Sequence, residues 1–520
     1  MTHVGYFVRI RKDDIAADVQ THTKQTMVFF LIIFSIIIPL IIYYIFLKKC
    51  VDDLLNSVPN EPKCIDSFLS IFGFSITFLK NPSDFIQLLY RKYGKLFTVH
   101  LFNRRYVFLY DEETFIKTLI KDPKLTMEFL DELVYKDGFG MDWTKIRKTD
   151  IQHEMLKQYH QFLMGNELEN LNQSIFDSLL EHIKEDNKKN LQSSVSTVTV
   201  NLFDFMSELM FYAGTTTLYG KTFVNEQRIN FYQSYLNFNK AFPICLMQIP
   251  FKSLFLYSSI KKRDEYIKRF ENLKINQDQS RLIQERIELF TSDEYKHLLT
   301  KHDIGSFHGI LLFAAIVNTV PNACWSLIDI LLHPEALYAV KNELNTIDLS
   351  RLFERETLNK LQILDSCINE TLRRTFMGLT QRQASENVSL TCNDGTIIGL
   401  RKNDLLTYPS LIKHLDPQLF PQPYTFQYDR FIKQQEKKTV PSIMIFGCGK
   451  RMCPGRYWAI NEIKMLVALV LTQMNVELLM DDWYKKKLCE RLEYEYTGLL
   501  TNGGPKKKYC EQFRIKYSYK

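Results

Sequence analysis

The stretch that decides the fold is Phe446–Gly455, with the sequence Phe-Gly-Cys-Gly-Lys-Arg-Met-Cys-Pro-Gly. Cys453 directly precedes a predicted helix that starts near Arg456, and Pro454 occupies its first turn, where a missing N–H is harmless. Because the free N–H groups at a helix start are positively polarised, they favour a thiolate over a thiol. We therefore expect Cys453 to be a metal-ligating thiolate. Cys448 occupies a position in the loop that tolerates many residues, and we expect it to be a bystander.

The other residues of this loop suit a flat, anionic cofactor, and haem is the cofactor that we expect. Gly449 and Gly455 allow the backbone to approach a porphyrin where a Cβ atom would clash. Phe446 can pack beside the ligand, and Arg451 can pair with a haem propionate. A thiolate ligand donates electron density to haem iron and so favours cleavage of the O–O bond. The alternative is a glycine-rich turn that contains an incidental cysteine.

The composition fits a globular protein with a large core and gives no sign of nucleic-acid binding. The 520 residues are 46% hydrophobic and 24% charged. The net charge of +7 is modest for this length and is not gathered into a basic cluster, so we expect no nucleic-acid partner. The ten cysteines are scattered without CxxC pairs, which indicates reduced thiols on the cytosolic side of a membrane.

A membrane anchor is predicted near the N-terminus. Met27–Leu47 contains 21 residues without a charge, and a helix of about 20 residues spans a bilayer core of roughly 30 Å. Basic residues lie on both sides of this segment, so their count does not fix its orientation. The predicted organisation is a polar tail at 1–26, a transmembrane anchor at 27–47, a hinge at 48–65 and one catalytic domain at 66–520.

Helical patterning dominates the catalytic domain, and the predicted fold class is mainly α with small β-sheets. The alternation of apolar and polar residues predicts strands at Leu96–Leu101 and Tyr106–Tyr110. One continuous amphipathic helix is predicted over Tyr266–Phe290, and a long apolar helix is predicted from about Phe307 to Leu332. The segment 386–403, rich in Asn, Asp and Gly, is predicted to be irregular.

A second motif identifies the family that the cysteine loop resembles. Glu370 and Arg373 lie three residues apart on one face of a predicted helix, and Arg430 follows in the Tyr-Asp-Arg-Phe segment at 428–431. Together with the loop, these motifs resemble the cytochrome P450 family of haem-thiolate monooxygenases along the whole chain after the anchor. The resemblance implies the cytochrome P450 fold, haem b as cofactor, and a buried ionic triad of Glu370, Arg373 and Arg430 beneath the haem.

The resemblance also suggests residues that contact the haem propionates. Arg382 corresponds to an arginine that often meets a propionate in this family, and a purely structural role is left open. Trp143 and Arg147 have the WxxxR spacing of another propionate motif. They are displaced from the helix that carries this motif in the family.

The helix predicted over 307–332 corresponds to the oxygen-activating helix of the family and departs from its pattern. Val317 stands where most members have an acid, and Asn318 stands where they have a threonine. Pro321 cannot donate to the carbonyl of Val317, so the helix is weakened beside Asn318. A freed carbonyl and a carboxamide there can hold oxygen or an ordered water. Asn318 and Thr319 are the predicted catalytic residues, and a buried Asn beside a tolerated proline kink is the alternative.

The Asn-Thr-x-Pro arrangement at 318–321 is similar to that of the sterol 7α- and 12α-hydroxylases and prostacyclin synthase. This similarity implies a monooxygenase that inserts one oxygen atom from O2 into a sterol or oxysterol, with electrons from NADPH through NADPH-cytochrome P450 reductase. An isomerase of a lipid endoperoxide, which needs no reductase, is the alternative, and a haem-binding sensor is a third possibility. The resemblance also implies a single-pass protein of the endoplasmic reticulum membrane with a cytosolic catalytic domain.

The apolar segment Ala241–Phe251, with prolines at 243 and 250, is predicted to form a pair of loops rather than a straight helix. Core packing is one interpretation. The other is an entrance lip that dips into the membrane and collects a lipophilic substrate. Lys450 and Arg451 offer a positive face to an acidic reductase.

Overall fold

The computed structural model describes Tyr43 and residues 56–65, 73–102, 104–192, 196–227, 229–247, 252–376, 378–432, 441–490, 504–505 and 507–520. The predicted tail at 1–26 and, apart from Tyr43, the predicted membrane anchor at 27–47 lie outside the described residues. The chain divides into two compact units, Met1–Glu61 and Pro62–Lys520, and the second unit contains every element described below.

Helices make up most of the second unit, as the sequence pattern predicts. The described α-helices are, in chain order, Gly73–Lys80, Pro82–Tyr93, Glu112–Lys121, Glu128–Glu132, Trp143–Ile146, Ile151–Phe162, Glu167–Gln192, Leu202–Glu226, Phe231–Cys245, Lys252–Phe255, Tyr257–Ile267, Arg281–Thr291, Lys301–Val317, Thr319–Leu332, Pro334–Leu344, Arg355–Lys360, Gln362–Thr375, Ser410–His414, Arg456–Gln473 and Asp482–Glu490. A π-helical segment spans Leu133–Gly138, and short 3-10 turns occur at Lys268–Phe270, Leu349–Arg351, Gly449–Arg451 and Lys507–Phe513.

The strands form three small sheets. They are β1 (Cys64–Ile65), β2 (Leu96–Leu101), β3 (Arg104–Leu109), β4 (Leu125–Thr126), β5 (Val198–Asn201), β6 (Leu379–Ala384), β7 (Val388–Thr391), β8 (Ile397–Leu400), β9 (Leu405–Pro409), β10 (Met474–Leu479) and β11 (Arg514–Tyr519). The largest sheet has the order β1-β2-β3-β9-β6-β4, the second has β10-β11-β5, and β7 pairs with β8 as a hairpin. Because β1 pairs with β2, this sheet begins inside the segment predicted as a hinge.

The long apolar helix runs through the core and is broken once. It begins at Lys301, where Thr300 and Asp303 form a capping box that satisfies the first free N–H groups. It continues to Leu332 with a break at Asn318. Within the described residues, Lys301–Leu332 is also long and apolar enough to cross a membrane. Most of its side chains are buried among other helices of the unit, so its apolar composition is explained by the protein core.

The helix predicted over Tyr266–Phe290 was wrong, because the structure divides it. One helix ends at Ile267, the next begins at Arg281, and Ser280 caps it by accepting a hydrogen bond from the Ile283 amide. Between them, the carboxylate of Asp278 accepts a hydrogen bond of 2.7 Å from the Thr222 amide of a neighbouring helix. This tertiary contact and the capping serine hold the segment in a loop despite its amphipathic period.

Two other local predictions were also wrong. The segment 386–403 contains the hairpin β7–β8, whose turn residue Gly395 has a φ of +82°. The Asn, Asp and Gly residues that suggested irregularity lie mainly in the turns. The helix Phe231–Cys245 continues through Pro243, although prolines predicted a loop pair from Ala241. Phe238 and Phe242 are buried on that helix, and their packing keeps the chain helical for two residues after the proline.

Candidate functional site

The structure brings Glu370, Arg373 and Arg430 together in a fully buried ionic cluster. Both side chains of the Glu370–Arg373 pair are 0% exposed, and Arg373 donates to both carboxylate oxygens at 2.8 Å. Arg430 Nε donates to Glu370 Oε2 at 2.9 Å. The remaining guanidinium N–H groups donate to backbone carbonyls, including those of His414 and Pro423 for Arg373. Every donor nitrogen of Arg373 therefore has an acceptor within the protein, and the two guanidinium groups share one carboxylate.

The cysteine loop is a tight turn that precedes the helix Arg456–Gln473. The Cys453 amide donates to the Phe446 carbonyl at 2.9 Å and closes the loop. Gly447 and Gly449 have φ values of +71° and +69°, which only glycine adopts without strain. The helix begins at Arg456, where the sequence pattern predicts its start. Pro454 therefore lies in the turn before the helix and not in its first turn.

The Cys453 thiol lies beside the start of this helix, but burial dominates its electrostatics. Burial raises the pKa of Cys453, whereas the Gly455 amide and the Arg456 guanidinium lower it by smaller amounts. The helix start therefore does not by itself hold a thiolate here, contrary to the expectation from sequence. A metal cation bound to the sulfur would supply the missing positive charge, because a coordinating thiol is deprotonated outright.

Arg382 and Arg451, predicted to contact propionates, lie on the same side of this loop. Arg382 on β6 is buried and donates to the carbonyls of Gln381 at 2.7 Å and Cys448 at 3.4 Å. Arg451 is half-exposed and pairs with Asp131 at 3.4 Å. Burial raises the pKa of Asp131, and the charges of both arginines oppose that shift. The two guanidinium groups therefore converge on one region, although Arg451 already has a protein partner.

The two residues of the WxxxR motif point in different directions. Trp143 is buried and its ring stacks on Tyr135 with the centroids 5.5 Å apart. Its Nε1 donor has no hydrogen-bond partner among the described residues. Arg147 is half-exposed and pairs with Glu128 at 2.6 Å. Trp143 is thus available to a bound group, whereas Arg147 is engaged at the surface.

These features fit a flat cofactor that carries carboxylates. Buried Arg382 makes hydrogen bonds only to backbone carbonyls within the described residues, so its charge has no carboxylate partner there. The buried indole N–H of Trp143 also lacks an acceptor among those residues. At Gly449 an added Cβ would meet nothing within 4 Å, so a planar group can approach the backbone closely. Haem, with two propionates and one thiolate ligand, matches this donor set.

The helix break at Asn318 creates an open face opposite the buried core. Asn318 has φ and ψ of −100° and −33°, and it separates the helices that end at Val317 and begin at Thr319. In a helix that is otherwise mostly buried, Ala314 is exposed, and Asn318 one turn later is partly exposed. These residues therefore lie on one face and give it a small apolar surface with one carboxamide. Thr319 is buried and lies off this face.

Glu462 is a buried acid that the sequence motifs did not reveal. It lies on the helix Arg456–Gln473, is 1% exposed, and shares a hydrogen bond with Thr319. Its Oε1 atom has no partner among the described residues. Burial raises the pKa of Glu462 well above its usual value, which favours the protonated form of the carboxyl group. A glutamate on an apolar helix was the only available signal in the sequence, and it does not identify the partner.

An aromatic wall stands beside Ala314. Phe313 packs against Phe139, Phe238 and Phe242, with ring centroids 5.8, 5.1 and 4.7 Å away. All four rings are buried. These buried rings form a rigid part of the hydrophobic core next to the exposed Ala314.

Comparisons with known proteins agree with this geometry. The family model described as Cytochrome P450 matches residues 61–500. Cytochrome P450 7B1 of Mus musculus is 29% identical over 445 residues, which cover 81% of this chain and 85% of the relative. 25-hydroxycholesterol 7-alpha-hydroxylase of Rattus norvegicus is 29% identical over 385 residues, covering 69% and 90%. 5-beta-cholestane-3-alpha,7-alpha-diol 12-alpha-hydroxylase of Sus scrofa is 28% identical over 466 residues, covering 83% and 90%.

Proposed function

The chain belongs to the cytochrome P450 family, and we propose that it is a monooxygenase that hydroxylates a sterol or oxysterol. The observation that carries this proposal is the open face around Ala314 and Asn318, which combines an apolar surface with one carboxamide. The names of the relatives include 7α- and 12α-hydroxylases of sterols. These names favour hydroxylation over the endoperoxide isomerase that the Asn-Thr-x-Pro arrangement also allowed.

Cys453 is proposed as the residue whose sulfur would hold the iron of haem b. The closed turn between Phe446 and Cys453, with glycines at positive φ, supports this role by holding the sulfur at a fixed position. Gly449 and Gly455 allow the backbone to approach the porphyrin. When bound, haem supplies the iron that activates O2, and its thiolate ligand favours cleavage of the O–O bond.

The propionates are proposed to accept from Arg382, Arg451 and Trp143. Trp143 has an unused donor in a buried position, and buried Arg382 donates only to backbone carbonyls among the described residues, which supports direct contact. Arg451 is expected to exchange its 3.4 Å contact with Asp131 for a propionate or to share the two acceptors. We propose that Glu370, Arg373 and Arg430 act structurally by joining their segments of the chain, because the Glu370 carboxylate and every donor nitrogen of Arg373 are used in contacts within the protein.

On the oxygen side, Asn318 is the residue proposed to orient a water molecule. A carboxamide contains both a donor and an acceptor group, which is the combination that orients a water molecule. Val317 has no acidic side chain that could donate a proton at this position. We therefore propose that the protons needed for oxygen cleavage arrive through water held at Asn318. Thr319 is proposed to act indirectly, since its side chain is buried against Glu462 rather than on the open face. The Thr319–Glu462 contact fixes the chain at the break and thereby the position of Asn318.

The substrate is proposed to enter from the membrane. Five large apolar side chains are exposed between residues 244 and 257, and Leu254 and Phe255 are 74% and 68% exposed; the others are Ile244, Met247 and Tyr257. Residues 248–251, part of the predicted entrance lip, lie outside the described residues. Exposed aromatic and aliphatic side chains that are clustered in this way favour insertion into a lipid interface. A sterol dissolved in the bilayer would reach the aromatic wall from this side.

The protein is further proposed to be anchored in the endoplasmic reticulum membrane by 27–47, with its catalytic domain in the cytosol. There it would receive electrons from NADPH-cytochrome P450 reductase at the basic face around the cysteine loop. The charge-free segment of 21 residues supports the anchor. Protection of an epitope at Lys520 from protease in intact microsomes would contradict this orientation.

The test is to incubate the full-length haem protein with 25-hydroxycholesterol and other sterols, purified reductase and NADPH. We expect a product one oxygen atom heavier than its substrate, formed only when the reductase and NADPH are present. Matched controls are a reaction without reductase and a reaction with the Cys453→Ser variant. Conversion of a prostaglandin endoperoxide by the wild type without NADPH or reductase would instead establish an isomerase.

A further inference from the structure

A second cluster of buried polar groups lies where four helices meet, apart from the residues assigned to the haem. Arg286 on the helix Arg281–Thr291 and His308 on the helix Lys301–Val317 are both 0% exposed. Their neighbours are Gln158 and Tyr159 from the helix Ile151–Phe162 and Tyr219 from the helix Leu202–Glu226. We call these five residues the arginine–histidine junction.

The charge of Arg286 is not compensated within this junction. Its Nε donates to the Gln158 side-chain oxygen at 3.3 Å and its Nη1 donates to the Tyr159 hydroxyl at 3.1 Å, and both acceptors are neutral. Its Nη2 has no partner among the described residues. The guanidinium also lies over the Tyr159 ring, 4.5 Å from the centroid, which compensates the charge only in part. A fully buried cation without an anion is strongly disfavoured.

His308 adds unused hydrogen-bonding capacity at the same place. Neither of its ring nitrogens has a partner among the described residues. Burial and the Arg286 charge lower the pKa of His308 to about 3, so the ring is neutral and carries one N–H donor at pH 7. The Tyr219 hydroxyl donates to the His308 backbone carbonyl at 2.8 Å and makes no hydrogen bond to the ring nitrogens. The rings of Tyr219 and Phe290 pack around the imidazole with centroids 5.9 and 5.4 Å away.

We propose that the arginine–histidine junction binds one small monovalent anion, and that chloride is the occupant in the cell. A chloride ion accepts hydrogen bonds from the Arg286 Nη2 and the His308 N–H, and it neutralises the guanidinium. A water molecule accepts the same hydrogen bonds but leaves the positive charge uncompensated. By linking the helices of Arg286 and His308, the ion stabilises the first half of the helix Lys301–Val317, which leads to Ala314.

Thermal unfolding of the haem-loaded protein tests this proposal. At constant ionic strength, replacing gluconate by chloride should raise the Tm of the wild type by about 3 °C when chloride exceeds its Kd 100-fold. Arg286→Met should lose this chloride dependence. Arg351→Met, at an arginine whose side chain is 60% exposed, is the matched control and should keep it. If Arg286→Met does not fold, His308→Phe serves in its place and should weaken the chloride dependence.

A crystal soaked in bromide provides the independent measurement. We expect anomalous density within hydrogen-bond distance of Arg286 Nη2 and His308. Absence of this density, or an equal Tm in chloride and gluconate, would overturn the proposal and leave ordered water as the occupant. A bromide peak without any chloride-dependent Tm would identify an adventitious ion only, and this outcome also contradicts the proposal.

Discussion

The cysteine loop with its ionic cluster differs sharply from the open face of the broken helix. Around Arg373, each charged donor has an acceptor, and glycines at positive φ fix the path of the loop. At Ala314 and Asn318 the surface is small and apolar, with one carboxamide and no acid at Val317. The first region needs particular residues for reasons of charge and backbone geometry. The region around Ala314 and Asn318 has only one polar side chain, so the type of reaction depends on few atoms there.

The largest effect is expected from substitution of Cys453, the proposed ligand of the haem iron. Cys453→His should abolish the absorption band that the reduced, CO-bound protein shows with a thiolate ligand, because imidazole does not supply the same charge. Cys448→Ser is the matched control from the same loop, and the band should persist in that variant. The ligand assignment is wrong if the two results are exchanged. The measurement is a difference spectrum after dithionite reduction and CO addition.

The ionic cluster should be the next most sensitive feature. Glu370→Gln keeps the shape of the side chain but leaves Arg373 and Arg430 buried without a counter-charge, which should lower the free energy of unfolding by about 3–5 kcal/mol. Haem content should fall with it. Glu356→Gln removes the acid of the exposed pair with Lys360 and should leave the urea midpoint unchanged. Equal stability of the two variants would show that the cluster is not needed for folding.

Glu462 lies on the helix that follows the cysteine loop and contacts Thr319 beside the break in the other helix. Its contribution to the free energy of unfolding should depend on pH. Burial raises its pKa in the folded state, whereas the unfolded carboxyl titrates near its usual value of 4.5. Above that value the folded state binds the extra proton, so stability falls as pH rises, by at most about 1.4 kcal/mol per pH unit. Glu462→Gln cannot ionise and should lose this dependence between pH 5 and pH 8. Parallel pH profiles of urea midpoints for the wild type and the variant would contradict a buried neutral acid.

Substitution of Asn318 on the open face should change stability least and should act specifically on product formation. Asn318→Leu should still bind a sterol, as judged by the shift of the Soret band, but product formation should fall roughly tenfold as one water-holding hydrogen bond is lost. Hydrogen peroxide release should rise in proportion. Asn318→Thr supplies a hydroxyl group and should recover most of the product. If Asn318→Leu gave unchanged product and peroxide, Asn318 would have no part in proton delivery.

Local sequence patterns predicted the elements whose boundaries depend on neighbouring residues. Strand β2 occurs at Leu96–Leu101 as predicted, and β3 begins two residues before its predicted start at Tyr106. The break in the helix predicted over Tyr266–Phe290 could not be predicted, because it involves a contact between Asp278 and Thr222 of another helix. The same limit applies to Pro243, since packing of distant aromatic side chains keeps that segment helical.

The sequence by itself determined the cysteine loop, the acid–base spacing of Glu370 and Arg373, and the unusual Asn318, because each depends on residues close together in the chain. Only the tertiary structure decided which charges are compensated. Arg373 and Arg286 are both fully buried arginines, yet Arg373 meets Glu370 while Arg286 meets only neutral groups among its described partners. Likewise, the contact between Glu462 and Thr319 joins residues 143 positions apart. Burial and charge compensation arise from packing between distant segments, and a local sequence pattern contains no information about those contacts.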